Sequence, residues 1–357
     1  MSDIVIIGGG IAGLSAGARL APHASVTLLE AEAALGYHAS GRSAAMFEAQ
    51  YGLPTTIQLN LASAAFHHGE NGGYTSPRGI LFAARVHERA TFEAENAAMK
   101  MAEISPAEAI ALVPILNPDT VAFAAYHQAA YDLDTDRMLQ DFARTIRGHG
   151  GTIHLNAPVT AIEKPGRWQI TAGNAVHQAD VVVDAAGAWA DQVARMAGIA
   201  PLSLVPCRRS MARIPAPGGH DVARWPMFFG TGERWYAKPD AGQLLVSPAE
   251  EDPVEPTDAW ADDMVLAEGL ARYEEMVTAP VTRITANWAG LRTFSPDRAL
   301  VLGAAPQDPS FFWSAGQGGY GFQTAPAASQ LVADLILGRP PALDPQLAAA
   351  LSPARFA

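Results

Sequence analysis

The sequence of 357 residues predicts a mixed α/β fold with two domains, because a chain of this length exceeds what one small core needs. One observation is an apolar stretch at residues 3–7 that is followed directly by a glycine-rich turn and a helical pattern. A second is the return of glycine-rich turns after residue 286. A third is the run of short alternating stretches between residues 208 and 284, which is typical of an antiparallel sheet. We therefore expect a nucleotide-binding domain with a sheet-rich domain inserted into it.

The first thirty residues predict a Rossmann-like dinucleotide-binding unit. Strands are expected over residues 3–7 and 25–29, with the spacing GxGxxG over residues 8–13 and a helix over residues 14–20 between them. Gly8 permits the tight turn, Gly10 lets the backbone approach a pyrophosphate, and Gly13 lets helix and strand pack closely. Glu30, at the end of the second strand, can accept hydrogen bonds from ribose hydroxyls. The predicted cofactor contacts in this unit are Gly8, Gly10, Ile11, Ala12, Gly13, Glu30 and Ala31.

Composition excludes several classes of protein. A formal charge of −12 argues against nucleic acid as a partner, since its phosphates would be repelled. The single cysteine, Cys207, excludes an internal disulfide and a cysteine-rich metal site, and we expect no metal. No apolar run is long enough for a membrane span, and the first residues lack the basic region of a secretory signal. We therefore expect a cytoplasmic protein without an integral membrane segment, either a monomer or a weak homo-oligomer.

The rest of the chain gives a coarse order of elements. Asp134 is a plausible N-cap for a helix over residues 137–149, which Gly150 and Gly151 would end. A β-branched run at residues 180–184 precedes a turn of small residues, which would allow close approach of a cofactor. Further helices are predicted over residues 57–70, 90–102 and within 258–276, and further strands over residues 80–84, 152–155, 235–238 and 243–246.

Several separated motifs, in the same order, resemble the D-amino-acid oxidase superfamily of flavoproteins, which includes glycine and sarcosine oxidases. The motifs lie at residues 36–45, 132–136, 184–189, 208–210, 288–292 and 311–321. Within the superfamily the chain is most similar to the FAD-dependent D-arginine dehydrogenases. The resemblance implies a split FAD-binding domain of residues 1–78, 134–206 and 286–357, and a substrate domain of residues 79–133 and 207–285.

The resemblance also implies that FAD is bound non-covalently. A helix that follows residue 321 would point its N-terminus at the flavin ring, where reduction places negative charge. The implied FAD contacts outside the first unit are Gly41, Arg42, Ser43, Ala44, Ala45, Val159, Ala186, Gly187, Trp189, Gly290, Gly318, Gly319, Tyr320, Gly321 and Thr324.

Substrate residues follow from the same resemblance. Arg209 and Arg292 match two arginines that hold a substrate carboxylate, and their planar donors suit that group. Tyr51 and Tyr236 match tyrosines that line the pocket and close over the substrate, and the Gly319 carbonyl matches the acceptor for the substrate amine.

The chain departs from the D-arginine enzymes at two pocket positions. Their pocket glutamate is absent, since Gly79, Ile80 and Leu81 follow Arg78 here, and Met46 stands in place of a histidine. We therefore expect a neutral or apolar side chain on the substrate rather than arginine. Glu48 and Arg234 are the residues that would reverse this expectation if they entered the pocket.

The resulting hypothesis is oxidative deamination of a D-amino acid, a small-molecule substrate, to an imino acid that hydrolyses to a 2-oxo acid and ammonia. Paired arginines fit two other carboxylate substrates equally well: an N-alkyl amino acid such as sarcosine or proline, and a 2-hydroxy acid. A flavin-binding protein without its own chemistry would not need such a pair. The electron acceptor, whether oxygen, a quinone or another molecule, stays open at this point, as does the choice between oxidase and dehydrogenase.

Overall fold

A computed structural model describes residues 3–357. Its helices are α1 (Ile11–Leu20), α2 (Pro54–Gly69), α3 (Arg89–Met99), α4 (Pro106–Leu112), α5 (Thr135–Gly148), α6 (Ala190–Met196), α7 (Asp263–Glu274), α8 (Gly321–Ile336) and α9 (Pro345–Leu351). Its strands are β1 (Asp3–Ile7), β2 (Ser25–Leu29), β3 (Met46–Phe47), β4 (Thr75–Pro77), β5 (Ile80–Ala84), β6 (Ala102–Ile104), β7 (Phe123–His127), β8 (Tyr131–Leu133), β9 (Thr152–His154), β10 (Val159–Glu163), β11 (Trp168–Ala172), β12 (Ala175–Ala179), β13 (Val181–Asp184), β14 (Val205–Ile214), β15 (Met227–Gly230), β16 (Tyr236–Asp240), β17 (Gln243–Ser247), β18 (Asp252–Pro253), β19 (Ala286–Phe294), β20 (Val301–Ala305) and β21 (Asp308–Ala315). Within residues 3–357, no helix has the length and apolar character needed to cross a membrane.

A six-stranded sheet of order β20-β21-β13-β1-β2-β9 forms the first layer. All neighbours pair in parallel except β20 with β21. Both faces of β1 are buried, because Ile4 and Ile6 pack into a core with α1, α5 and α8, whereas Val5 and Ile7 pack into a second core with α6 and β11. A strand that is apolar on both faces is typical of the centre of a parallel sheet.

A nine-stranded, mostly antiparallel sheet forms the second layer, in the order β18-β14-β17-β16-β15-β5-β7-β6 with β19 also paired to β14. One face packs on α4 and α7. The other face carries Ile80, Phe82, Phe229 and Tyr236, which contact one another in a separate core. Two small sheets, β10-β11-β12 and β3-β8-β4, complete the structure. The predicted fold class, a mixed α/β architecture of a parallel and an antiparallel sheet, is confirmed.

Element bounds differ from the sequence patterns in informative places. The helix expected within residues 258–276 begins only at Asp263, because the Asp262 carboxylate accepts hydrogen bonds from the N–H groups of Met264 and Val265 and so caps the first turn. The third segment assigned to the cofactor domain begins at residue 286, yet Ala286–Phe294 pairs with β14 in the nine-stranded sheet. The domain boundaries themselves stay a prediction.

The turn between β1 and α1 depends on two glycines. Gly8 has a φ of +112°, a backbone conformation that L residues rarely adopt. A Cβ atom at Gly13 would lie 2.0 Å from the Gly8 carbonyl oxygen. Helix α1 can therefore begin this close to the end of β1 only if residue 13 has no side chain.

We expect Gly13→Ala to lower the free energy of unfolding by about 2 kcal/mol or more, because one added carbon overpacks the turn. Gly148→Ala is the matched control, since a Cβ atom there meets nothing within 4 Å and should change stability by at most about 1 kcal/mol. Denaturant unfolding of both variants, followed by circular dichroism, measures the difference. Equal stabilities would contradict this account of the turn.

Candidate active site

One cavity of about 540 Å³ lies between the β1–α1 turn and the nine-stranded sheet. It brings together most of the residues that the sequence analysis selected from distant parts of the chain. Those that line it are Gly8, Gly10, Ile11, Ala12, Glu30, Ala31, Arg42, Ser43, Ala44, Ala45, Met46, Tyr51, Val159, Ala186, Gly187, Trp189, Arg209, Tyr236, Gly290, Arg292, Gly318, Gly319 and Gly321.

Four selected residues do not line the cavity. Gly13 packs behind Gly8, and a Cβ atom at Gly41 would lie 2.5 Å from the Gly36 carbonyl oxygen. Tyr320 places its ring 5.4 Å from the ring of Tyr51, and Thr324 is buried with its hydroxyl donating to the Tyr320 carbonyl at 2.8 Å. These residues shape the loops around the cavity, and direct contact with a cofactor stays a prediction for them.

At the end of the cavity next to α1 lie backbone N–H groups and the carboxylate of Glu30. Gly10, Ile11 and Ala12 line the cavity at the start of α1, and Gly10 supplies no side-chain cap to this helix. The Ile11 N–H donates to Ser40 Oγ at 3.0 Å. The Glu30 carboxylate is fixed by two backbone N–H groups, from Gly9 at 2.6 Å and Glu32 at 2.8 Å. Glu30 lines the cavity, and each of its oxygens can accept a further hydrogen bond.

A second helix N-terminus reaches the same cavity from the other side. The residue before α8, Tyr320, makes no side-chain cap, and Gly318, Gly319 and Gly321 line the cavity. Gly318 has a φ of +53°, and its N–H donates to the Thr293 carbonyl at 2.9 Å, which ties this turn to β19. Two uncapped helix ends at one cavity favour anionic groups in it.

Residues 257–259 form part of the cavity wall, and we call them the closing segment. Thr257 and Ala259 line the cavity, and Arg42 holds this segment by donating to the Ala259 carbonyl at 3.0 Å and to the Asp258 carboxylate at 2.5 Å. Arg42 also donates to the Ala289 carbonyl at 2.9 Å. The hydrogen bond with Arg42 lowers the pKa of Asp258 below its ordinary value, so the pair is ionised at neutral pH.

Strand register brings the two selected arginines together. In the antiparallel pair of β14 and β19, Arg209 lies opposite Gly290, and Arg292 lies opposite Cys207. Residues two apart on a strand share a face, so the arginines are diagonal neighbours on the face toward the cavity. Gly290 leaves the space opposite Arg209 free of a side chain, and a Cβ atom at Gly319 would lie 2.7 Å from Cζ of Arg292.

Tyr51 meets an acidic residue that the sequence analysis did not select. Its hydroxyl donates to the Glu233 carboxylate at 2.7 Å, and both residues line the cavity. Burial raises the pKa of Tyr51 well above its ordinary value, and Glu233 raises it further. Tyr51 therefore stays protonated and acts as a hydrogen-bond donor at the arginine end of the cavity.

The remaining wall beside the arginines is apolar. It consists of Met46, Ile80, Met99, Met211, Met227 and Phe229. Met211 lies two residues after Arg209 on β14, and strand alternation could have identified it. Met227 could not be found in this way, because its place depends on the parallel pairing of β15 with β5, where it lies opposite Ile80. Met99 and Glu233 lie outside strands, and no pattern pointed to them.

Glu48 and Arg234 are the two residues that could have reversed the expected preference for a neutral or apolar substrate side chain. Glu48 lines the cavity, but its carboxylate pairs with Nδ1 of His127 at 2.8 Å and accepts the N–H of Gln50 at 2.9 Å. Arg234 is exposed and is not among the lining residues. Among the described residues, neither Ile80 nor its strand neighbours place a carboxylate on the apolar wall.

Comparison with known proteins identifies the family. A model of the family described as FAD dependent oxidoreductase (DAO) matches residues 3–335. The chain belongs to this family. FAD is therefore its cofactor, and the chain is an FAD-dependent oxidoreductase.

Individual relatives agree with this assignment. The chain is 25% identical over 396 residues to bovine FAD-dependent oxidoreductase domain-containing protein 1, covering 94% of this chain and 81% of the relative. It is 24% identical over 364 residues to glycine oxidase of Pseudomonas putida, covering 96% of each. It superposes on FAD-bound L-alpha-glycerophosphate oxidase of Mycoplasma pneumoniae with a TM-score of 0.86 and 20% identity over 96% of each chain, which shows a shared fold.

The residues present fit FAD. The N-terminus of α1, which lines the cavity through Gly10, Ile11 and Ala12, suits a pyrophosphate, and the Glu30 carboxylate can accept from ribose hydroxyls. Gly10 keeps the approach open, since a Cβ atom there would have only Ser40 Oγ within 4 Å, and would project into otherwise empty space. Cys207 does not line the cavity, whereas His38 does. Non-covalent attachment stays a prediction.

We expect Asp258→Asn to increase the rate of FAD dissociation about threefold to tenfold, because the closing segment loses its ion pair with Arg42. The increase in flavin fluorescence after dilution of the holoenzyme measures this rate. Asp119→Asn, at an exposed position outside the cavity, is the control. If both variants release FAD as slowly as the unaltered protein, the closing segment does not retain the cofactor.

Proposed function

We propose that this oxidoreductase acts on the carbon–nitrogen bond of an α-amino acid with an apolar side chain, of D configuration as the family resemblance implies. The product is an imino acid, which hydrolyses in water to a 2-oxo acid and ammonia. The observation that carries the proposal is the diagonal pair of Arg209 and Arg292 beside a wall rich in methionine. When bound, FAD takes up the hydrogen and electron pair that leave the substrate Cα.

The arginine pair supports an anionic substrate. Arg209 is 6% exposed and Arg292 is partly buried. Within residues 3–357 the one carboxylate within 4 Å of both guanidinium groups is that of Glu251. A single carboxylate offsets only part of the charge of two guanidinium groups, so the pair can still bind a further anion. A carboxylate can accept paired hydrogen bonds from a planar guanidinium, which fixes its orientation as well as its position. With the carboxylate fixed, rotation of the substrate is restricted and its Cα–H bond is held in one direction, which promotes the reaction.

The apolar wall supports a broad preference for neutral side chains. Met46, Met99, Met211 and Met227 are unbranched and flexible, so they can adapt to side chains of different shape. The two carboxylates that line the cavity on this side already have partners in the chain, Glu48 with His127 and Glu233 with Tyr51, so neither is placed solely to receive a guanidinium. The apolar wall disfavours a cationic side chain, and therefore the D-arginine preference that resemblance to the D-arginine dehydrogenases would suggest.

A secondary-amine substrate is the second candidate. The arginine pair would hold the carboxylate of an N-alkyl amino acid in the same way, and the apolar wall could take the alkyl group. The similarity to glycine oxidase supports amine oxidation in general and does not separate the two candidates. A 2-hydroxy acid is a third possibility with the same carboxylate.

Anaerobic mixing of the holoenzyme with single substrates separates these candidates. The panel contains D- and L-leucine, D-methionine, D-arginine, glycine, sarcosine, proline and 2-hydroxy-4-methylpentanoate, and loss of the flavin absorbance near ~450 nm is followed. The proposal expects fast bleaching by D-leucine and D-methionine and slow bleaching by D-arginine. Bleaching by sarcosine or proline alone would show that the substrate is a secondary amine. Bleaching by the hydroxy acid alone would show that the substrate is a 2-hydroxy acid.

We expect Arg292→Met to keep its flavin and to raise the KM for D-leucine by about tenfold to a hundredfold, because a charge-assisted contact to the carboxylate is lost. Arg283→Met is the control, since Arg283 is exposed and does not line the cavity. Steady-state kinetics, with flavin content read from absorbance, measure both effects. Loss of flavin with an unchanged KM in the residual holoenzyme would contradict the assigned role.

A further inference from the structure

The two arginines of the cavity share a carboxylate that does not itself line the cavity. Glu251, in the loop between β17 and β18, accepts from Arg209 Nη2 at 3.0 Å through Oε1. The same oxygen lies 3.8 Å from Arg292 Nη1. Its other oxygen, Oε2, accepts from Arg298 Nη2 at 2.6 Å. One carboxylate therefore links three guanidinium groups.

Contacts within the chain engage two of the five N–H donors of Arg209. Its Nε donates to the Glu250 carbonyl at 2.8 Å, and its Nη2 is taken by Glu251. The Glu250 carboxylate accepts the N–H of Ser210 at 2.7 Å through Oε1. A bound anion in the cavity can therefore use only Nη1 of Arg209 fully, and it competes with Glu251 for the charge of both arginines.

We propose that Glu251 sets the affinity of the arginine pair for carboxylates by taking up part of their positive charge. This inference rests on the proposed function, because it assumes a carboxylate at Arg209 and Arg292. Substrate and 2-oxo acid product both carry a carboxylate, so an unopposed pair of buried arginines would bind the product as firmly as the substrate. Glu251 weakens the binding of both substrate and product, and so lets the product leave.

Arg298 has the opposite effect to Glu251 on the affinity of the arginine pair for carboxylates. Its guanidinium lies 3.7 Å from the centre of the Phe294 ring, and Arg298 is exposed and does not line the cavity. By binding Oε2 it offsets part of the charge of Glu251 and orients that carboxylate. Removal of Arg298 leaves Glu251 free to neutralise Arg209 and Arg292 more completely, which weakens binding of an outside carboxylate.

The test uses two probes of nearly equal shape and different charge, 4-methylpentanoate and 4-methylpentanamide. Titration calorimetry of the holoenzyme gives the Kd of each probe. For Glu251→Gln we expect the Kd of the carboxylate to fall about tenfold and that of the amide to change less than about twofold. Arg298→Gln should raise the Kd of the carboxylate and leave the amide unchanged. Glu255→Gln, an exposed residue that follows in the chain, is the matched control.

The possible results separate a failure of this inference from a failure of the proposed function. An unchanged or higher Kd for the carboxylate in Glu251→Gln would show that Glu251 only supports the arginines, and it would overturn this inference alone. Equal affinities of the unaltered protein for carboxylate and amide would overturn the proposed function, because the arginine pair would then not recognise charge. If Glu251→Gln does not fold, Arg298→Gln carries the test, and a lower or equal Kd there overturns the inference.

Discussion

The antiparallel pairing of β14 with β19 is the constraint on which the rest of the site depends. It runs through nine residue pairs, from Val205 opposite Phe294 to Arg213 opposite Ala286. Register in such a pair is fixed along its whole length, because a slip by one residue would turn every side chain to the other face. This ladder sets the distance between Arg209 and Arg292. It also places Gly290 against Arg42, where a Cβ atom would meet Arg42 Cβ at 3.4 Å. The arginine end of the cavity and the loop of Arg42 are thus both held by β19.

Charge balance is the second feature that organises the cavity. Three buried or partly buried cations near it have a carboxylate partner from another element: Arg42 with Asp258, Arg209 with Glu251, and Lys238 with Asp132 at 2.8 Å. A buried charge without a partner would be strongly unfavourable. The partners come from loops and small sheets whose positions only the complete fold defines. The polar part of the site therefore forms only when both main sheets are in place.

The sequence allowed prediction of the parts whose chemistry is local. The spacing of Gly8, Gly10 and Gly13 requires no knowledge of distant residues, and neither does the position of Glu30 at the end of β2. Resemblance supplied Arg209 and Arg292, and the register of β14 with β19 brings them together. Glu233, Glu251 and Met227 were not predicted, because each reaches the site through a turn or a strand pairing that joins distant parts of the chain. Sequence patterns report periodicity within an element and carry little information about which elements meet.

The loop at residues 44–45 shows how the fold holds a backbone conformation that the residues alone would not adopt. Ala45 has a φ of +57°, which is unfavourable for a residue with a side chain. Lys238 Nζ donates to the Ala44 carbonyl at 2.6 Å and to the Ala45 carbonyl at 3.3 Å, and the Leu133 N–H donates to the Ala45 carbonyl at 2.9 Å. Burial lowers the pKa of Lys238, while the adjacent Asp132 acts against that shift and favours the charged form. Because Lys238 lies two residues after Tyr236 on β16, both side chains face the same side of the sheet. The strand that supplies Tyr236 to the cavity wall thus also holds the loop of Ala44 and Ala45, which lines the same cavity.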